Sequence, residues 1–193
     1  GIGKKEGKVY FVEHTVPGDV VDAWIYTKTK KIPQGRVQNW VKRSEDRVEP
    51  VCAHFGTCGG CKWQSLSYQK QLFFKEKAVS DAFTRIGHLE VKHMHPILGC
   101  ASPFNYRNKV EFTFSTKRWV PSEMIESGEE IDWEGALGYH VARFFDKVVD
   151  VETCHLHWPV INEIRNEIRT FAKEHDLGYY DIRGNEGYLR NIV

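Results

Sequence analysis

Three cysteines lie within ten positions of the chain, and their spacing suits the binding of a soft metal. Cys52, Cys58 and Cys61 are separated by five residues and then by two in the stretch CAHFGTCGGCKWQ. Four cysteine thiolates hold an iron–sulfur cluster, whereas a structural zinc ion takes four ligands from cysteine and histidine. Three thiolates are therefore in place for either site, and the fourth ligand must come from elsewhere.

The fourth ligand decides which metal site forms. Cys154 or Cys100 would complete a set of four thiolates, whereas His54 would complete a zinc site. Three glycines in the same stretch favour the cluster, because backbone N–H groups can approach its sulfurs without a clash from Cβ. A disulfide framework is not expected, since the five cysteines are odd in number and the chain lacks secretory features. The spacing favours a cluster and leaves zinc, and after it reactive thiols, as the alternatives.

Charge is distributed unevenly along the sequence. Residues 1–110 carry 18 Lys and Arg against 10 Asp and Glu, whereas residues 111–193 carry 9 against 16. The basic part indicates a polyanionic partner such as nucleic acid, although an ordinary solvated surface would have the same composition. Hydrophobic residues make up 41% of the chain, which predicts a globular protein. No run of eighteen apolar residues occurs, so no membrane-spanning segment and no membrane partner are expected.

The first fifty residues predict a small β-barrel. Stretches 8–13, 19–26 and 35–42 are rich in Val, Tyr, Trp and Ile, and prolines and glycines separate them. Cations interleaved with aromatic residues on such a barrel suit stacking and phosphate contacts on RNA. The alternative is that Trp24 and Trp40 are core residues and the cations are merely solvated. The cations in question are Lys28, Lys30, Lys31, Arg36, Lys42 and Arg43.

Two amphipathic helices are expected after the cysteines. Residues 65–87 predict a helix that Ser67 caps and Gly87 ends, and Pro159 begins a second helix. Each carries an apolar stripe that is expected to pack inward. The stripes are Tyr68, Leu72, Val79, Phe83 and Ile86 in the first helix, and Val160, Ile164, Ile168 and Phe171 in the second.

The strands between and after these helices predict an α/β sandwich with a largely antiparallel sheet. Strands are expected over 108–115 and 135–152, and the acid-rich residues 122–134 between them predict a solvated loop. The last residues predict a hairpin that turns at Gly184-Asn185. The fold class is therefore α+β, with a small amino-terminal barrel followed by the sandwich. Both chain ends look internal to something longer, so we expect a fragment.

The cysteine motif and two later motifs together resemble the RNA (uracil-5-)-methyltransferase family. CAHFGTCGGCKWQ is followed by NYRNKVEFTFS and then by VVDVETC, in the order found in this family. The resemblance covers essentially the whole chain, and its cysteine signature is specific. It implies a TRAM-like barrel over 1–50, an iron–sulfur loop over 51–64 and a central RNA-recognition domain over 65–193. The cysteines favour the RumA type, whose members methylate uridine in 23S ribosomal RNA, because the TrmA branch lacks them.

By this resemblance, the metal site is a 4Fe-4S cluster. Cys52, Cys58, Cys61 and Cys154 match the four ligands of the family one by one. Cys100 matches none of them and is expected to be a small buried hydrophobic residue. The cluster would tie residue 52 to residue 154.

The resemblance also implies which residues face RNA. Tyr106, Arg107, Asn108 and Lys109 match an RNA-facing strand of the family, with Arg107 and Lys109 expected to touch phosphates or bases and Asn108 a base edge. The alternative for Tyr106 is core packing. A second RNA-lining stretch is comparable to the segment that holds His140, Arg143 and Phe144. His155 and His157 are expected to lie around Cys154 or on the surface rather than to bind metal.

Catalysis in this family requires groups that this sequence does not match. A cysteine thiolate adds to carbon 6 of uracil, and carbon 5 then takes the methyl group of S-adenosylmethionine. These groups and the S-adenosylmethionine site lie in a Rossmann-like domain, and RGNEG is expected in a hairpin rather than in a cofactor loop. We expect the RNA-recognition and iron–sulfur portion of a cytoplasmic, monomeric enzyme that acts on ribosomal RNA, inactive by itself. The alternative is a non-enzymatic iron–sulfur or zinc module that binds nucleic acid or carries electrons.

Overall fold

The chain folds into two compact units. The computed structural model describes residues 1–27, 32–128, 130, 131, 133 and 135–193. The first unit comprises residues 1–50 and 62–101, and the second comprises residues 51–61 and 102–193. Residues 51–61 of the cysteine loop, which include its three cysteines, thus belong to the second unit, although segments of the first unit precede and follow them in sequence. Lys28, Lys30 and Lys31, which the sequence placed among the RNA-binding cations, lie outside the described residues.

A curled four-stranded sheet forms the start of the first unit. Its strands are β1 (Ile2–Lys5), β2 (Lys8–Val12), β3 (Val20–Ile25) and β4 (Gln34–Lys42), in the order β1-β2-β4-β3. The three predicted strands are confirmed, and β1 adds a fourth. The two residues that join β1 to β2 are Glu6 and Gly7, both with positive φ, as a tight hairpin turn requires. The sheet is a half-barrel, and its identity as a TRAM or OB fold stays a prediction.

Asp19 ties the start of β3 to the segment that follows β4. Its carboxylate accepts hydrogen bonds from the backbone N–H groups of Val16 and Ser44, at 2.7 and 2.9 Å, and from Nε of Arg47 at 2.9 Å. Burial by itself would raise the pKa of Asp19, but the bonds from Arg47, Ser44 and Val16 outweigh it and hold the pKa below its ordinary value.

The predicted helix of the first unit is α1 (Tyr68–Asp81), which continues into a π-helical turn over Ala82–Ile86. Ser67 occupies the N-cap position, but its side chain makes no capping hydrogen bond. The prediction that the apolar stripe packs inward is wrong, because no residue of α1 is buried and Ile86 is 81% exposed. Amphipathic spacing predicts a helix but does not say whether anything covers its apolar face.

A second, antiparallel sheet organises the second unit. Its strands are β5 (Phe112–Ser115), β6 (Ala136–His140), β7 (Val148–Asp150) and β8 (Asn191–Ile192), in the order β7-β6-β5-β8. Each neighbouring pair is antiparallel, which confirms the predicted sheet. The hairpin before β8 turns where the sequence predicted, since Asp181 and Glu186 pair across it. The expected acidic loop instead contains the short helix α2 (Ser122–Glu126).

The core of this unit lies between the sheet and α3 (Pro159–Glu174). Phe112, Phe114 and Leu137 are almost fully buried against Ala172 of α3, with Ile168 packed beside them. The helix begins at Pro159 as predicted, but its apolar stripe is largely misassigned. Val160, Ile164 and Phe171 are each more than half exposed, and the inward face is Ile161, Arg165, Ile168 and Ala172.

A buried arginine explains the different inward face of α3. Arg165 is fully buried because its guanidinium donates hydrogen bonds to the carbonyl oxygen of Glu152 and to Oδ1 of Asn162. Burial lowers the pKa of Arg165 to about 10, which leaves it charged at neutral pH. A prediction from periodicity treats every charged residue as exposed, so it assigns Arg165 to the solvent side and predicts the wrong buried face for α3. Among the described residues, no helix is long and apolar enough to span a membrane.

Candidate metal centre and nucleic-acid interface

The four cysteines predicted as ligands all belong to the second unit. Cys58 forms an isolated bridge with Val141 at the end of β6, and the N–H of Gly59 donates to the carbonyl oxygen of His140 at 3.0 Å. These backbone bonds hold the cysteine loop against the sheet. Cys58 and Cys154 pack against the same buried valines, which follow β6 and lie in and after β7. Residues separated by almost a hundred positions are thus brought to one place.

The thiols interact with one another. Burial raises the pKa of the Cys58 thiol, and the neighbouring thiols of Cys61, Cys52 and Cys154 raise it further. Burial also raises the pKa of Cys52, and the thiols of Cys154 and Cys61 add to this effect. A raised pKa keeps these two thiols protonated, and a metal ion or cluster core among the sulfurs would favour their thiolate forms.

Backbone N–H groups surround these sulfurs. The N–H groups of His54 and Phe55 donate to the sulfur of Cys52, and that of Gly60 donates to Sγ of Cys58 at 3.4 Å. Hydrogen bonds of this kind stabilise thiolate ligands and tune the metal that they hold. The sequence predicted that glycines in this loop let backbone N–H groups approach the sulfurs, and the N–H of Gly60 does approach Sγ of Cys58.

The four cysteines do not form a ready-made metal site. Within the described ranges, no three or more Cys, His, Asp or Glu side chains form a group that could hold a metal ion. Four cysteine thiolates are the donors that a 4Fe-4S cluster takes, and these cysteines supply donors of that type. The cluster therefore stays a proposal, with zinc as its alternative.

Cys154 is fixed by side chains that the sequence did not single out. Oδ1 of Asn162 accepts from the N–H of Cys154 at 2.9 Å, and Nδ2 of Asn162 donates to its carbonyl oxygen at 3.2 Å. Arg165 donates to the same Oδ1 at 3.0 Å. Tyr139 hydrogen-bonds to the Cys154 side chain, and the pKa of this tyrosine is raised by burial and then by the thiol. The only sequence signal is the i, i+3 spacing of Asn162 and Arg165 in the helix after the cysteine.

Cys100 differs from these four cysteines in its unit and in its environment. It belongs to the first unit and is exposed, so the expectation that it is a small buried residue is wrong. Its N–H donates to the hydroxyl of Tyr68 at 2.7 Å. Cys100 lies in a stretch, residues 82–102, in which every residue is exposed. This stretch therefore has no interior in which a small apolar side chain could be buried.

The segment 106–109 is exposed immediately before β5. Tyr106 is 61% exposed, which excludes core packing, and Arg107, Asn108 and Lys109 are exposed as well. The N–H of Arg107 donates to the carbonyl oxygen of Leu156 at 2.8 Å, and the N–H of Asn105 donates to that of His155 at 3.0 Å. The segment predicted to face RNA is therefore anchored to the residues that directly follow Cys154.

The second predicted RNA-lining stretch lies at the end of β6. His140 is half-buried, whereas Arg143 and Phe144 are exposed in the turn that follows. Arg143 has a φ of 73°, and the Phe144 ring lies 5.4 Å from that of Trp119. This turn and segment 106–109 lie in the same unit and are both accessible.

The histidines after Cys154 have different environments. His155 is half-buried, with its ring 6.4 Å from that of Phe104. His157 is fully buried, its ring edge-on to Phe112 at 5.7 Å, and burial lowers its pKa. His157 is therefore a core residue rather than the surface group that was expected as one possibility.

In the first unit, two tryptophans lie beneath arginines. Trp24 is 50% exposed with the Arg36 guanidinium 4.9 Å from its ring centre, and Trp40 is 37% exposed with Arg43 at 5.0 Å. The alternative that both tryptophans are core residues is wrong. Proteins that bind single-stranded nucleic acids stack the bases on exposed aromatic rings that lie beside cations.

Relatives of the whole chain are named as RNA methyltransferases. A protein of Bacteroides thetaiotaomicron named as an uncharacterized RNA methyltransferase is 43% identical over 192 residues, which cover 100% of this chain and 42% of the relative. A protein of Porphyromonas gingivalis with the same name is 40% identical over 96% of the chain and 41% of the relative. No protein-family model matches the chain.

A solved structure shares the fold. The tRNA (uracil-54, C5)-methyltransferase of Pyrococcus abyssi, solved with S-adenosyl-L-homocysteine, matches with a TM-score of 0.58 and 23% identity, over 94% of this chain and 37% of that one. The chain thus belongs to a family of RNA methyltransferases, as its motifs indicated. It spans about two-fifths of the length of the relatives that it matches.

Proposed function

We propose that the chain is the RNA-recognition and iron–sulfur portion of a 23S rRNA (uracil-5-)-methyltransferase that depends on S-adenosylmethionine. The whole enzyme would be a cytoplasmic monomer that forms 5-methyluridine in ribosomal RNA. Support comes from relatives named as RNA methyltransferases and from the cysteine spacing, which resembles the RumA type.

One observation carries the proposal. The exposed segment 106–109 is bonded to Leu156 through the N–H of Arg107, and the residue before it, Asn105, is bonded to His155, which directly follows Cys154. An iron–sulfur cluster on Cys154 and the cysteine loop would therefore fix the backbone beside the RNA-facing segment. Arg107 and Lys109 would contact phosphates, Tyr106 would stack on a base, and Asn108 would bond a base edge.

In this proposal, the cluster supplies a covalent cross-link rather than catalysis. Cys52, Cys58, Cys61 and Cys154 would hold it, with the N–H groups of the loop around the sulfurs. His140, Arg143 and Phe144 would line the second stretch that RNA passes. S-adenosylmethionine would bind in a part of the enzyme that this sequence does not match.

The test is the salt dependence of RNA binding. Arg107→Gln with Lys109→Gln should weaken binding and reduce the slope of log affinity against log salt by roughly one to two units, because single-stranded RNA releases about 0.7 counterions per neutralised phosphate. Fluorescence anisotropy with a labelled ribosomal hairpin that contains the candidate uridine, at several salt concentrations, measures both effects.

A matched control removes the same charge elsewhere. Lys75→Gln with Lys173→Gln takes two exposed cations from α1 and α3. This variant should keep the parental salt slope, while both double variants should unfold at the parental temperature. Identical binding by the Arg107/Lys109 variant and the parent at every salt concentration would refute the RNA-facing assignment.

A further inference from the structure

The sheet of the second unit carries a cavity on the face opposite α3. Phe112 and Phe114 of β5 pack toward the helix, so strand alternation turns Glu111 and Thr113 to the other face. There they line a cavity of about 340 Å³ together with His140 of β6 and Asn191 of β8. This volume is at the lower end of the range of about 300–1,000 Å³ for small-molecule sites, so it suits one ring system with its sugar.

Polar groups in the cavity have unused bonding capacity. Oε1 of Glu111 accepts from Nδ2 of Asn191 at 2.6 Å, and Glu111 is exposed, so its other carboxylate oxygen is accessible to a ligand. His140 and Thr113 share a hydrogen bond of 3.3 Å between Nε2 and Oγ1. Nδ1 of His140 is buried and has no hydrogen-bond partner among the described residues. A buried polar atom of this kind is normally satisfied by a ligand or by water.

Aromatic and cationic side chains complete the lining. Phe145 is 64% exposed, and Tyr180 carries the Arg190 guanidinium at 4.8 Å from its ring centre. Asp146 also lines the cavity, but it is buried and its charge is paired with Arg183 at 2.6 Å. Tyr180 is half-buried, so the ring that could accept a stacked base is the exposed Phe145, which has the Arg183 guanidinium 5.8 Å from its centre. Glu111 supplies the acceptor.

We propose that this cavity binds a single unpaired RNA base that carries an exocyclic amino group. The inference rests on the proposed function, because it assumes that the chain binds RNA. Guanine, cytosine and adenine present amino donors to a carboxylate, whereas uracil presents carbonyl oxygens beside one N–H group. The pocket would therefore take a base other than the uracil that is methylated and would set the register of the RNA.

The test compares single bases within one RNA context. Seven-nucleotide RNAs of uridine with guanosine, cytidine, uridine or an abasic site at the centre are titrated into the chain by anisotropy. The guanosine or cytidine RNA should bind roughly tenfold tighter than all-uridine RNA, since a bidentate contact to the correct base discriminates by about this factor or more. Glu111→Gln, which keeps the shape but loses one acceptor, should abolish the difference.

A control and a second readout separate the pocket from RNA binding in general. Glu167→Gln removes a charge from an exposed position of α3, and this variant should keep the preference for RNA with guanosine or cytidine at the centre. Guanosine monophosphate, but not uridine monophosphate, should shift the NMR signal of the Asn191 side-chain amide. Salt-dependent binding with the same affinity for every central base would overturn the proposal for the pocket and leave the proposed function standing. A base preference that survives Glu111→Gln would do the same. Loss of all RNA binding while guanosine monophosphate still shifts Asn191 would instead refute the proposed function.

Discussion

At Cys154, a single asparagine holds the backbone on both sides. Asn162 accepts from the N–H and donates to the carbonyl oxygen of this cysteine, and Arg165 orients the amide. The thiol of Cys154 is thereby held near the thiols of Cys52 and Cys58. Cys100 belongs to the first unit and is exposed, so its residue type alone does not make it a ligand.

This difference predicts opposite effects of two serine substitutions. Protein purified without oxygen should be brown and contain about four irons and four inorganic sulfides per chain. Cys154→Ser should lose most of this iron, because a hydroxyl is a poor ligand for the cluster, whereas Cys100→Ser should keep it. Iron and sulfide analysis of both variants makes the comparison.

Stoichiometric zinc without sulfide would rule out the cluster and return the site to the zinc alternative. Equal iron loss from both serine variants would contradict the assignment of Cys154 as the fourth ligand.

At the scale of the element, α3 has two apolar faces and buries only one. Ile168 packs on the sheet, whereas Ile164, one turn earlier, is 52% exposed. The buried face includes Arg165 because the carbonyl oxygen of Glu152 and Oδ1 of Asn162 accept hydrogen bonds from its guanidinium. A charged residue can thus occupy a core position when the backbone beside it has free acceptors.

The two isoleucines therefore predict different losses of stability. Ile168→Ala should lower the free energy of unfolding by about 2 kcal/mol, because it removes packed methyl groups and leaves a cavity. Ile164→Ala should change it by less than about 0.5 kcal/mol, since the side chain is largely in water. Urea unfolding followed by circular dichroism measures both, and equal losses would show that the inward face of α3 is misassigned.

At the scale of the whole molecule, the strand pairing bears on catalysis. Among the described strands, only β2 and β4 pair in parallel, and the second sheet is antiparallel. Nucleotide-type cofactors in Rossmann-like domains bind at the carboxyl ends of parallel strands. Among the described residues, neither sheet is the mostly parallel sheet of such a domain.

We expect that this chain by itself transfers no methyl group. The physical reason is that no segment matches the nucleophile or the donor loop of the family, so RNA would be held without an activated methyl group beside it. Incubation with radiolabelled S-adenosylmethionine and ribosomal RNA should give no 5-methyluridine above background. Turnover by the chain would mean that the active site lies within these 193 residues.

Features that depend on neighbouring residues were available from the sequence by itself. The strands of the first sheet and the start of α3 at Pro159 follow from local backbone preferences. The cysteine spacing and the order of the motifs are read directly from the sequence, and they indicated the family and the role of Cys154 as a candidate ligand. Only the tertiary structure decided which face of α3 is buried, because one acceptor for Arg165, the carbonyl oxygen of Glu152, comes from another segment. It also decided the cavity, since Asn191 bonds Glu111 across 80 positions of sequence. Chain order sets local conformation, whereas pairing of β8 with β5 determines which distant side chains meet.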